Sequence, residues 1–215
     1  MNSISLNKVI PSFLAERACE SVDSEVWNAG LTFEKGKSYL VKADSGKGKT
    51  TLCSFIYGLR GDFSGEIRFD GSPIPPAGSD LWSSIRRESL SCVFQDMLLF
   101  EELTPLENIA LKPAAGPVPS AKVKAWLAAL GLEGKLGSKV GRLSFGQKQR
   151  VAFVRMLSQR ADFFIMDEPV SHLDDTNCRI MSEILSGRIA ELGAGVIVTS
   201  IGRDLPLDFD KVVRL

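Results

Sequence analysis

Three short segments of the chain are almost continuously hydrophobic: Ser38-Tyr39-Leu40-Val41, Phe163-Phe164-Ile165-Met166 and Val196-Ile197-Val198-Thr199. Runs of this length without polar alternation predict parallel strands covered by helices on both faces. Helical patterns stand between them, from Thr50 to Gly58 after the first run and from Asn177 to Leu192 after the second. The alternation predicts an α/β core that binds ligands at the carboxyl ends of its strands. Residues 1–35 are patterned differently: Ile4, Leu6 and Val9, then Val26, Leu31 and Phe33, read as alternating strands. Gly65-Glu66-Ile67-Arg68-Phe69-Asp70-Gly71 adds a hairpin-like piece with glycine at both ends. An antiparallel β layer is therefore expected beside the parallel core. Met97 to Leu143 reads as mostly helical, interrupted by a proline-rich connector from Lys112 to Pro119. The helix expected from Ser120 to Leu130 opens on a serine suited to cap it.

Chemistry enters at the end of the first hydrophobic run. Ala43-Asp44-Ser45-Gly46-Lys47-Gly48-Lys49-Thr50, with Thr51 after it, joins a predicted strand to a predicted helix, the context in which a phosphate-binding loop is expected. Gly46 and Gly48 let backbone amides turn inward, and the positive end of the next helix adds to the anion site. Lys49 is placed to reach the β- and γ-phosphates and Thr50 to ligate magnesium. Ala43 stands where the pattern opens with glycine, a change of one methyl. The second run ends in Asp167-Glu168. Asp167 is expected to hold the magnesium, and Glu168 to orient or deprotonate the attacking water.

Composition narrows the setting. The 215 residues are 44% hydrophobic, which suits one large domain with or without a small insertion. Lysine plus arginine and aspartate plus glutamate are 26 each, so no basic coat exists and no nucleic-acid partner is expected. No apolar run approaches the ~20 residues that span a bilayer. Met1-Asn2-Ser3-Ile4-Ser5-Leu6 lacks the basic and apolar blocks of a secretory leader, so a cytoplasmic location is expected. Cys19, Cys53, Cys92 and Cys178 are scattered without a Cys-x-x-Cys pair, which argues against zinc or a disulfide framework.

Leu143-Ser144-Phe145-Gly146-Gln147 lies shortly before the strand that ends in Asp167-Glu168. With the phosphate loop, it makes the chain resemble the nucleotide-binding subunit of an ATP-binding cassette (ABC) transporter from Ile4 to about Ile201. The pentapeptide is similar to that family's signature motif, with Phe145 replacing its first glycine. There the motif opens a helix facing the γ-phosphate bound by the other protomer. Ser144 and the Gly146 amide, with Gln147 beside them, suit such an anion site. Val93-Phe94-Gln95 resembles the family's glutamine loop, implying that Gln95 contacts magnesium and the water. Ser171-His172-Leu173-Asp174 resembles the loop that crosses the dimer interface, where Asp174 is carried over and His172 receives no role. Phe13 aligns with the aromatic residue that stacks on adenine, or else packs in the core. After the last strand the family has a histidine against the γ-phosphate; here Ser200 or Ile201 fills that place. The Ser200 hydroxyl can donate one hydrogen bond but supplies no cation, so slowed hydrolysis with intact ATP binding is expected.

The resemblance implies a P-loop NTPase α/β core with a mostly parallel sheet, an antiparallel β subdomain and an inserted helical subdomain. All belong to a single domain, 1–215, with the helical part at roughly 97–155. It also implies an ATPase using ATP and Mg2+, a head-to-tail homodimer, and an integral-membrane permease that tethers it to the inner face of the cell membrane. Leu103-Thr104-Pro105-Leu106-Glu107-Asn108-Ile109-Ala110-Leu111 is similar to the lipoprotein-release, macrolide-export and cell-division type of cassette. The missing histidine leaves a second expectation open, an ATP-gated switch with little turnover.

Overall fold

The computed structural model describes residues 1–15, 24–111 and 118–215. Cys19 and residues 112–117 of the expected connector lie outside them. Five strands form a parallel sheet in the order β6 (Leu90–Val93), β7 (Phe163–Asp167), β8 (Gly195–Ser200), β3 (Ser38–Lys42), β9 (Lys211–Arg214). The three hydrophobic runs are its centre. The flanking strands, Leu-Ser-Cys-Val and Lys-Val-Val-Arg, are too short and too polar to stand out by pattern.

β7 and β8 are buried along their whole length, yet strand geometry still sends successive side chains to opposite faces. Tyr39, Val41, Phe163, Ile165 and Ile197 join one core, which contains α2 (Lys49–Ile56) and the antiparallel layer. Leu40, Phe164, Met166, Val196 and Val198 join the other, formed with α6 (Phe145–Leu157) and α7 (Asp175–Leu192). A run that reads as uniformly apolar is therefore two interleaved faces. This parity places Asp167 and Thr199, near the strand ends, on the side of α2.

The antiparallel layer is a sheet in the order β2 (Gly30–Glu34), β1 (Ser3–Pro11), β4 (Phe63–Phe69), β5 (Ser72–Pro73). The expected hairpin is β4 turning into β5 through Asp70-Gly71, both at positive φ (49° and 81°), as a two-residue hairpin turn requires. Two short helices, α1 (Ser12–Ala15) and α3 (Leu81–Glu88), were not foreseen. In the middle region α4 (Pro105–Ala110) is closed by a Thr104–Glu107 capping box. α5 (Ser120–Ala129) starts differently from expectation. Pro119 occupies the cap position, no side chain caps the helix, and Ser120 is its first residue. No helix among the described residues is long and apolar enough to cross a membrane.

Candidate functional site

Because β6, β7, β8 and β3 are parallel neighbours, their carboxyl ends open onto one edge. There β3 gives way to the loop 43–48, β7 to Glu168, β8 to Ile201 and β6 to Gln95. A cleft of about 300 Å³ lies among them. One wall is Ser45, Gly46, Gly48, Lys49, Thr50 and Thr51; Gln95, Glu168, Ile201 and Phe13 complete it.

The phosphate loop is held from behind. Ala43 N donates to Ser200 O at 3.2 Å, and the carbonyls of Ala43 and Asp44 accept from Lys49 Nζ at 2.9 and 2.8 Å. Lys49 is only 3% exposed, and its ammonium lies 3.6 Å from Glu168 Oε1. Ala43, Asp44 and Lys47 do not line the cleft; they shape the loop through their backbones. Gly48 caps α2 in the left-handed region, φ 101°, without a side-chain hydrogen bond. The first-turn amides of α2 are thus open to an anion. A side chain at 48 would stand 3.2 Å from Phe13 and 3.3 Å from Trp27. Trp27 is a site residue that sequence reading missed. Its indole N–H donates to Lys47 O at 3.2 Å, tying the β layer to the loop. Phe13 lies half-buried against Gly48 on the rim of the cleft rather than within the core.

Asp167 is 1% exposed and shares strand parity with Ile165, so it faces α2. Its Oδ2 accepts from Thr50 Oγ1 at 2.6 Å and its Oδ1 from Thr199 Oγ1 at 2.7 Å. Glu168 leaves the strand at φ 51°, a left-handed conformation uncommon outside glycine and concentrated at functional sites. Within α2, burial pushes the Cys53 thiol well above its ordinary value, so this cysteine packs as an inert side chain.

Ser200 and Ile201 both stand open for the place after the last strand. Ser200 is the last residue of β8 and does not line the cleft. It is 3% exposed; its hydroxyl donates to Arg203 O at 3.0 Å and accepts from Gly202 N at 3.2 Å. Ile201, 48% exposed, is the residue that lines the cleft.

The second cluster lies away from the cleft. Ser144 caps α6 by accepting from Gln147 N at 3.3 Å, while Gln147 Oε1 accepts from Ser144 N at 2.9 Å. Gln147, expected beside the anion site, uses its side-chain oxygen to close the cap. A side chain at Gly146 would stand 3.3 Å from His172 O, so the start of α6 packs against the loop after Glu168. Above that contact, the exposed Phe145 ring meets His172 edge-on at 4.4 Å. Asp174 caps α7, accepting from Asn177 N at 2.8 Å. The Asn177 amide hydrogen bonds hold its carboxyl below the ordinary value.

Comparisons with known proteins agree with this arrangement. Residues 26–171 match the family described as ABC transporter. The lipoprotein-releasing system ATP-binding protein LolD of Chromohalobacter salexigens is 31% identical over 189 residues, 86% of this chain and 80% of that protein. The macrolide export ATP-binding/permease protein MacB of Neisseria meningitidis is 33% identical over 189 residues; the match spans 86% of this chain but only 29% of that protein. A dimeric post-hydrolysis state of the ATP-binding cassette MJ0796 bound to ADP and Pi superposes with a TM-score of 0.72 at 26% identity. That match covers 92% of this chain and 87% of the other.

Proposed function

The chain belongs to the ABC transporter family, and from that premise we propose that it binds and hydrolyses ATP, as a head-to-tail dimer, to drive a separate integral-membrane permease from the inner face of the membrane. The observation that carries this reading is the convergence of Lys49, Thr50–Asp167, Glu168 and Gln95 on one cleft at the carboxyl edge of the sheet. Lys49 and the first-turn amides of α2 hold the phosphates. Phe13 on the rim is placed to cover the base. Glu168 accepts a proton from the attacking water, and its 3.6 Å approach to Lys49 keeps its carboxylate oriented toward the phosphates.

The donor set fits magnesium. Thr50 and Asp167 offer oxygens 2.6 Å apart at the cleft edge, with Gln95 lining it. Among the described residues no group of three or more His, Cys, Asp or Glu side chains forms a metal cage. That suits a hard cation held jointly by few protein oxygens, substrate phosphates and water. When bound, the ion neutralises charge developing on the phosphate oxygens. Ser144, Gly146 and Asp174, outside the cleft, are the residues proposed to meet the second copy's nucleotide. Residues 97–155 are proposed as the helical unit that transmits closure to the permease. The likeness to LolD and MacB supports the lipoprotein-release and macrolide-export type as the subgroup.

Glu168→Gln tests the reading. The variant should accumulate as an ATP-bound dimer in size-exclusion chromatography, while the native protein cycles between monomer and dimer. Ile201 at the cleft favours a second reading, a slow ATP-gated switch, because an apolar side chain stands where a phosphate contact is expected. A native chain that already accumulates as the ATP-bound dimer would replace the first reading with the second.

A further inference from the structure

β8 lies beside β7 in parallel register, with Thr199 opposite Asp167. Thr199 is 0% exposed, and nothing in the spacing of the sequence singles it out. A hydroxyl has one proton and two lone pairs, and this one uses both capacities toward the site. It donates to Asp167 Oδ1 at 2.7 Å and accepts from Glu168 N at 3.2 Å, an N–H it shares with the Thr199 carbonyl at 3.3 Å. The other Asp167 oxygen accepts from Thr50. A continuous hydrogen-bonded chain thus runs from the first turn of α2, through Asp167 and Thr199, to the amide of Glu168. At the far side of that peptide, Glu168 O accepts from Gln149 Nε2 and Ser171 Oγ, both at 3.4 Å.

We propose that Thr199 is a positioning residue of the ATPase site. Its hydroxyl sets the rotation of the Asp167 carboxylate so that Oδ2 faces Thr50. Together with the Thr199 carbonyl, it also holds the left-handed turn that aims Glu168 at the phosphates. Two groups that must act together are thereby referenced to one buried oxygen. This rests on the ATPase reading above.

Thr199→Val keeps the branched shape and removes the hydroxyl; Thr199→Ser keeps the hydroxyl. Valine should lower kcat about 10–100-fold through misplacement of Glu168, leave the Kd for ATP without magnesium within about threefold of native, and speed hydrogen exchange of the Glu168 amide measured by NMR. Serine should restore kcat and amide protection to near native. Native kcat in the valine variant would overturn the proposal, as would a serine variant as impaired as valine. A fall in kcat that merely tracks lost thermal stability across both variants would also overturn it. Should valine prevent folding, Thr199→Cys, with its weak S–H donor, must show a kcat below that of serine; a cysteine variant equal to native overturns it. A native chain that binds ATP without turnover would strike the ATPase reading instead. The contrast in Glu168 amide exchange between valine and serine then still decides the role of Thr199.

Discussion

Histidine placed at 200 and histidine placed at 201 should have opposite outcomes. Ser200 is 3% exposed and its hydroxyl makes two hydrogen bonds, to Arg203 O and from Gly202 N. Losing them costs about 0.5–1.5 kcal/mol each, and forcing an imidazole into filled space adds about 1–3 kcal/mol. Ser200→His should therefore destabilise the fold by about 2–6 kcal/mol, which lowers Tm by about 5–20 °C for a domain of this size. It should bring no gain in turnover. Ile201 is half-exposed on the cleft wall, so Ile201→His should change stability by only about 0.5 kcal/mol. Its imidazole can make one charge-assisted hydrogen bond to a phosphate oxygen, about 1.5–3 kcal/mol. Expressed in the transition state alone, that raises kcat about 10–100-fold. Phosphate release at saturating Mg-ATP, with calorimetry on the same preparations, measures both quantities. A Ser200→His variant with faster turnover and unchanged Tm, beside an inert Ile201→His, would refute the burial argument and return Ser200 to the phosphate.

Trp27→Phe keeps a ring against Gly48 but removes the donor to Lys47 O; titration calorimetry should show ATP affinity weakened about 3–10-fold, near 1 kcal/mol, with saturated turnover little changed. Asp174→Ala removes the cap of α7 and should lower Tm at neutral pH. Because hydrogen bonds from Asn177 hold the Asp174 carboxyl below its ordinary 3.8, the cap contributes fully above that pH and its contribution is lost as pH falls through the depressed value. The Tm gap between native and variant should accordingly be constant near neutrality and close on acidification below pH 3.8.

The parts of the fold legible in the sequence are those where one physical requirement dominates. Strands buried on both faces must be apolar throughout, which marked β3, β7 and β8 to within a residue or two at each end. The phosphate loop was legible because Gly46 and Gly48 need positive φ, 77° and 101°, and few other patterns place glycine there. β6, β9 and α3 were not legible. Edge strands need little hydrophobicity, and α3 buries only Trp82. The missed cap at Ser120 has the same origin. A serine before a helical pattern is a good cap only when the backbone turns at that residue, and Pro119 turns it one residue earlier.

Site residues divide along a related line. The proposed roles of Lys49, Thr50, Asp167 and Glu168 could be read from the sequence because each sits at a fixed offset within its own strand-to-loop segment. Trp27 and Thr199 act across segments: one through an indole reaching 20 residues along the chain, the other through a strand register 32 residues distant. No local spacing records such contacts. The choice between Ser200 and Ile201 stayed open in the sequence for a third reason. Motif alignment places residues along the chain, but at the end of β8 a shift of one residue moves the side chain to the other face of the sheet. Asp167 and Thr199 face α2, bonded to each other and through Asp167 to Thr50, whereas the Ser200 hydroxyl is taken up by Arg203 O and Gly202 N. The strand period that builds the two cores therefore also decides which side chains can touch a phosphate.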